Sequence, residues 1–260
     1  MQISEMIDEP IELVTFDLYD TLVEADPPRW ERFATALGKA GFPTTVEAVI
    51  QADRQGEDHY TIENGRRPIR DRSPEEVQQF RLDQVGVYLE ALGLPTDAET
   101  RATVQKHFVD ETQNHGGWNY RGFKENLEVL DLLEKHGIKR AVISNADADV
   151  TRFCLQMGFA EQMDLIVTSA LVGWEKPDSR TFYAALEPLD VDPGRAIHVG
   201  DQHLSDVKGA RAIGMAAAII DRYGRHDPDE HPALHVTSLM DLAEKVIAYN
   251  ATFADEPVGS

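Results

Sequence analysis

The segment Ile11–Val23, IELVTFDLYDTLV, decides how the rest of the chain is read. Its apolar run from Ile11 to Phe16 reads as a buried strand, and the Asp20–Thr21 pair marks a turn directly after it. Asp17 therefore stands at the C-terminal end of a central strand. Open α/β sheets place their chemistry there, because adjacent strand ends splay into a crevice. That makes Asp17 the candidate nucleophile. A strand ending in Asp is also a common turn or helix cap, so the reading depends on what the other strand ends carry.

After Val23 the pattern becomes helical. Pro28–Ala40 carries Trp30, Phe33 and Leu37 at spacings of three and four, and Thr45–Tyr60 reads as a second helix. Arg66–Ser73 reads as a basic, proline-containing loop. Ser73-Pro74-Glu75-Glu76 has the cap and first-turn acids of a helix start, running to Leu92, and a fourth helix runs from Thr96 or Asp97 to about Asn114. Four helices without a strand predict a small bundle over residues 25–118, inserted into an α/β domain made of residues 1–24 and 119–260.

From Lys124 strand and helix alternate. Strands are expected at Lys139–Ile143, Leu165–Thr168, Ala196–Val199 and Ala216–Ile220, with helices at Glu125–His136, Asp147–Met157, Ser179–Leu186 and Ser205–Ile213. Short connections between them predict an α/β fold with a doubly wound, parallel, right-handed sheet. The tail adds a strand-like piece, His235–Leu239, and a helix, Met240–Asn250; the last ten residues read as frayed.

In such a sheet the strand ends share one edge. Asp17, Ser144-Asn145, the Gly173–Asp178 segment with Lys176, and Gly200–Asp206 would then meet there. That set supplies a carboxylate nucleophile, a hydroxyl, an ammonium and further acids. These are the parts needed for phosphoryl transfer through an aspartyl phosphate, with Mg2+ in an oxygen-rich pocket.

The motifs DLYDT (Asp17–Thr21), ISN (Ile143–Asn145), KPD (Lys176–Asp178) and GDQHLSD (Gly200–Asp206) stand in the order found in the haloacid dehalogenase superfamily, which the chain resembles. The inserted bundle is similar to that family's α-helical cap, which would exclude water and bulky substrates. The resemblance implies Asp17 as nucleophile and metal ligand, the Tyr19 carbonyl as metal ligand, and Ser144 as phosphoryl contact. It further implies Lys176 as charge neutraliser, Asp201 as direct Mg2+ ligand, and Asp206 as a partner of the metal or of Lys176. Thr21, Asn145 and the cap's Arg54 are the substrate-binding candidates.

One position departs from the phosphatase pattern. The family's phosphatases carry an acid/base Asp two residues after the nucleophile, and here that residue is Tyr19. Tyrosine there resembles the 2-haloacid dehalogenases, in which halide leaves without a proton. Those enzymes need no magnesium and lack the intact Gly200-Asp201…Asp206 motif. Weighing the two ends, the expected activity is a Mg2+-dependent phosphohydrolase acting on a small phosphorylated metabolite. The alternatives are a 2-haloacid dehalogenase or a non-catalytic binding homologue. Asp20 is the candidate for a substitute acid, but adjacent side chains in an extended segment point opposite ways, which counts against it.

Composition narrows the partners. The chain has 260 residues, 42% of them hydrophobic, and a formal net charge of −21. This charge disfavours nucleic acid and anionic membranes, and it exceeds the roughly 2–8 units that suffice for solubility. Only 8 of the 25 cations are Lys, and the acids are spread along the chain, a pattern expected of a halophilic protein. Met1–Pro10 lacks the apolar core of a secretory signal, and no run approaches a membrane span of roughly 18 residues, so a cytoplasmic location is expected. Cys154 is the single cysteine and reads as a small buried hydrophobe. Arg66, Arg67, Arg70 and Arg72 are expected to pair with surface carboxylates, and His226, His231 and His235 have only loose metal-like spacing.

Overall fold

The computed structural model describes residues 1–229 and 233–254. In chain order its elements are β1 (Leu13–Phe16), β2 (Val23–Ala25), α1 (Arg29–Lys39), α2 (Val46–Arg66), α3 (Pro74–Ala91), α4 (Ala98–Asn114), β3 (Tyr120–Gly122) and α5 (Asn126–Lys135). They continue with β4 (Lys139–Ser144), α6 (Thr151–Gln156), β5 (Leu165–Thr168), α7 (Ser169–Val172), α8 (Ser179–Leu189), β6 (Ala196–Gly200), α9 (Lys208–Ala212), β7 (Ala216–Ile220), β8 (Leu234–Val236) and α10 (Leu239–Ala254). The described residues form two units, an α/β core of Met1–Val23, Gly122–Arg222 and the residues from His226 onward, and a helical unit of Glu24–Arg121 with Tyr223–Arg225.

The core carries a six-stranded sheet in the order β5-β4-β1-β6-β7-β8, with each neighbouring pair parallel. This is the parallel α/β fold expected from the alternation. Strands buried on both faces need near-continuous apolar sequence, and every residue of β1, β6 and β7 is buried. One face packs Leu13, Ile143, Phe182, Leu186 and Ile219 into a continuous cluster. Because β1 lies between β4 and β6, Asp17 emerges at the centre of the sheet edge.

In the helical unit, Trp30, Phe33, Leu37, Val49, Val85, Leu89 and Val104 form a separate core. Helix α2 extends past the expected end at Tyr60 to Arg66. Gly56 lies within it, and a side chain there would collide with Tyr88, its Cβ falling 2.2 Å from the ring. The basic segment is correspondingly shorter, a single 3₁₀ turn at Ile69–Asp71. Its arginines are anchored: Arg66 to Glu63, Arg67 to Glu76, and Arg72 over the Phe80 ring.

Further boundaries differ from expectation. Helix α6 starts at Thr151, because the Asp149 carboxylate accepts the Thr151 N–H at 2.8 Å and holds the preceding residues in a turn. The expected helix Ser205–Ile213 opens instead as a π-helical turn, His203–Val207, which bears Asp206. At the tail the strand is Leu234–Val236 and not His235–Leu239, and α10 runs from Leu239 through Ala254, four residues into the stretch expected to fray; His231 and the rest of that stretch lie outside the described residues. No helix among the described residues is long and apolar enough to cross a membrane.

Candidate active site

The site is built on β1 and its two neighbours. The Asp17 N–H donates to the Val199 carbonyl at 2.8 Å, which carries the β1–β6 pairing one residue past the strand. The chain then turns at once: Leu22 and Val23 donate to the Leu18 carbonyl, and Asp20 takes the left-handed conformation at φ 57°. The segment after the nucleophile is thus the tight turn that Asp20–Thr21 marks, so the side-chain alternation of an extended segment does not govern where Asp20 points. Asp and Asn tolerate this backbone region better than most residues.

Lys176 is the hub. Its ammonium donates to Asp17 Oδ1 and to Asp206 Oδ1, each at 2.7 Å, and its side chain is 1% exposed. Asn145 holds the Lys176 main chain from both sides. It accepts the Lys176 N–H at 2.7 Å and donates to the Lys176 carbonyl at 3.0 Å. The carboxamide expected to bind substrate is therefore occupied as a clamp. Asp178 of the same motif caps α8 by accepting the Arg180 N–H.

Asp206 folds back over the end of β6. Its Oδ2 accepts the Gln202 N–H at 2.9 Å. Gly200 makes room for it, since a Cβ at that position would lie 2.2 Å from the Asp206 carboxyl carbon. Its Oδ1 also meets Nε2 of His198 at 3.2 Å. Asp201 is buried beside Gly200, and its carbonyl accepts from His226 Nε2 at 2.8 Å.

The charges respond to this burial. Against the cost of desolvation, Lys176 and His198 hold Asp206 well below the usual carboxylate range. Asp17 moves the other way. Burial, reinforced by the nearby Asp206 and Asp201 charges, pushes it up to about 8 against the pull of Lys176. For Lys176 itself burial opposes the charged form, but its two carboxylate partners more than offset this and raise its pKa. Burial lowers the pKa of His198 in spite of its bond to Asp206.

Ser144 and Thr21 are fully buried at the ends of β4 and of the turn, and neither hydroxyl oxygen has a hydrogen-bond partner. A buried polar atom left unsatisfied costs about 1–3 kcal/mol, and both of these stand on the sheet edge that carries Asp17. Tyr19, half-buried, lies with its ring 6.0 Å from that of Phe153 on α6. Arg54 lies on α2 of the helical unit, next to the buried Asp53.

The site as folded thus groups Asp17, Lys176, Asp206 and Asn145 directly, with Asp201, Ser144 and Thr21 on the same sheet edge. Sequence reasoning missed His198 and its neighbour Thr15. The available signal was a histidine and a threonine inside otherwise apolar strands, IHVG and LVTF. Cys154 is buried, which pushes its thiol up to about 12, as befits a packing residue.

Comparison with known proteins identifies the family. Residues 11–214 match the family model of haloacid dehalogenase-like hydrolases. The chain is 31% identical over 244 residues to haloacid dehalogenase-like hydrolase domain-containing protein 3 of Mus musculus, covering 89% of this chain and 94% of that one. It is 37% identical over 125 residues to phosphoserine phosphatase of Thermus thermophilus, 47% of this chain and 50% of the other. Among solved structures, the 2-haloacid dehalogenase of Pseudomonas syringae pv. Tomato DC3000 is similar with a TM-score of 0.53 and 27% identity, over 92% of this chain and 99% of that one. A match spanning both the Asp17 turn and the Gly200–Asp206 segment places the chain in the haloacid dehalogenase-like hydrolase family.

Proposed function

We propose that the chain is a Mg2+-dependent phosphohydrolase of a small phosphorylated metabolite, using Asp17 as nucleophile. The observation that carries this reading is the Gly200–Asp206 segment. It sets buried Asp201 next to the strand paired with β1, and it uses Asp206 to hold the Lys176 ammonium on Asp17. A nucleophile pushed toward its protonated form by burial and like charge needs further positive charge to attack as a carboxylate.

The donor set fits magnesium. Among the described residues no three His, Cys, Asp or Glu side chains form an ion cage. Magnesium does not require one, being held through one or two carboxylates with waters and substrate phosphate. Asp17 and Asp201, with the Tyr19 carbonyl, would hold it, and Asp206 is taken up by Lys176. When bound, the ion supplies charge neutralisation at the transferring phosphoryl group.

The chain's own residues do the rest. Asp17 attacks phosphorus and forms an aspartyl phosphate as the alcohol oxygen leaves with its electron pair. Lys176 offsets charge on the phosphoryl oxygens, and the Ser144 and Thr21 hydroxyls donate to them. Water then cleaves the acyl phosphate and returns Asp17 and inorganic phosphate.

Tyr19 favours a second reading, a 2-haloacid dehalogenase in which Asp17 displaces halide to form an ester. The relationship to the Pseudomonas syringae enzyme supports it too. The test is release of phosphate from acetyl phosphate and p-nitrophenyl phosphate with Mg2+, against release of chloride from 2-chloropropionate. We expect phosphate, with poor leaving groups slow by on the order of 10²–10⁴ for want of the general acid. Tyr19→Asp should then raise turnover of alkyl phosphates more than of aryl phosphates. Chloride release without phosphate release would establish the second reading, and neither product would establish a binding homologue.

A further inference from the structure

We propose that His198, oriented by Thr15, is a positioning residue that sets the Lys176 ammonium on Asp17 by acting through Asp206; this rests on the phosphohydrolase reading for its catalytic consequence. His198 lies in β6 directly opposite Thr15 in β1, and both are fully buried. Nδ1 of His198 is 2.8 Å from the Thr15 hydroxyl, and Nε2 is 3.2 Å from Asp206 Oδ1. The ring is braced by Phe182, perpendicular to it at 5.3 Å.

The directions of these bonds follow from donor and acceptor capacity. Asp206 Oδ1 already accepts from Lys176, and an ionised carboxylate can only accept. The nitrogen facing it must therefore carry the hydrogen. In a neutral ring Nδ1 is then the acceptor, and Thr15 must donate to it. The hydroxyl's other acceptor, the Ile197 carbonyl, is at 3.5 Å, at the outer limit of a hydrogen bond. One directed chain results: Thr15 O–H to His198 Nδ1, His198 Nε2–H to Asp206 Oδ1, and Lys176 Nζ–H to both Asp206 and Asp17.

Two effects follow. The Nε2–H, with the Gln202 N–H on the other oxygen, holds the Asp206 carboxylate in the plane that faces Lys176. It also shares Oδ1 with the ammonium, which weakens the pull of Asp206 on Lys176 and leaves more of its charge for Asp17 and the phosphoryl oxygens. Outer partners that orient a reacting group in this way commonly change activity by about 10- to 100-fold when removed.

The experiment uses the full chain with Mg2+ and p-nitrophenyl phosphate. His198→Leu should lower kcat by ~10- to 100-fold with KM within about twofold, and His198→Gln, whose amide N–H can replace Nε2–H, should recover most of it. Thr15→Val should lower kcat less, and Thr15→Ser should restore it. In the wild type, long-range 1H–15N correlation of the imidazoles should show His198 as the Nε2–H tautomer. Equal kcat in His198→Leu and wild type, or a Gln variant no better than Leu, overturns the proposal. An Nδ1–H tautomer also overturns it, and this readout stands if a variant misfolds. A wild type that releases no phosphate but shows the Nε2–H tautomer refutes the phosphohydrolase reading and leaves the bonding chain established.

Discussion

Ser144 shows how a single residue can oppose stability and serve chemistry. Its hydroxyl is buried at the end of β4 without a partner, a cost the fold bears in the absence of a bound group. Ser144→Ala removes that unsatisfied atom with little change in volume. We expect an unchanged or slightly raised melting temperature together with a loss of about 10²-fold in phosphatase kcat, as for one lost oxyanion donor. A drop in both would mean that the hydroxyl serves the fold. Ser144 was legible from its place after an apolar run, as were Asp17, Lys176 and Asp206. The role of Asn145 was not, because a motif shows that a carboxamide is near the site but not that both its ends are taken by the Lys176 main chain. His198 was hidden for a related reason. Its partner Thr15 is remote in sequence, and only the β1–β6 register brings them together.

At the scale of elements, helix α2 is organised around Asp53. Buried inside the helical unit, this carboxylate accepts from Arg29 Nη2 at 2.7 Å, Arg225 Nη1 at 2.6 Å and the Tyr88 hydroxyl at 2.6 Å. Against the cost of burial, the two guanidinium groups hold it well below the usual carboxylate range. A depressed folded pKa contributes stability above the unfolded value, near 4, and that stability is lost as pH falls below it. The helical unit should therefore lose protection against hydrogen exchange as pH is lowered from about 5 toward 2. Asp53→Asn should remove much of that dependence and cost about 3–5 kcal/mol at neutral pH by chemical denaturation, since it removes the charge opposite the buried Arg225 guanidinium. A loss under about 1 kcal/mol would contradict this account. The helices themselves were readable from capping and periodicity: Ser73 and Glu76 form the expected capping box, and Asp97 caps α4. The length of α2 was not, because the polar stretch after Tyr60 shows no apolar periodicity, although Thr61 and Asn64 in it are buried by packing.

For the whole molecule the dominant quantity is the net charge of −21. Repulsion among exposed carboxylates is screened as the Debye length falls from about 10 Å at 0.1 M salt to about 3 Å at 1 M. The melting temperature should rise steeply with KCl, and a flat profile from dilute buffer to molar KCl would rule out a salt-adapted surface. The ion pairs within each unit do not alter that expectation, because exposed pairs such as Lys106–Asp110 contribute little. The division of the chain also bears on how the protein can be taken apart. Tyr223–Arg225, reached only after β7, belongs to the helical unit, where Tyr223 meets Trp30 at 4.5 Å and donates to Glu24 at 2.8 Å. Residues 24–121 cut out as one continuous piece would leave Asp53 without Arg225 and Trp30 without its aromatic neighbour. The helical unit is therefore not a portable module. A gene fragment encoding it would have to be circularly rearranged, with the Tyr223–Arg225 segment spliced back on, before it could be exchanged between relatives.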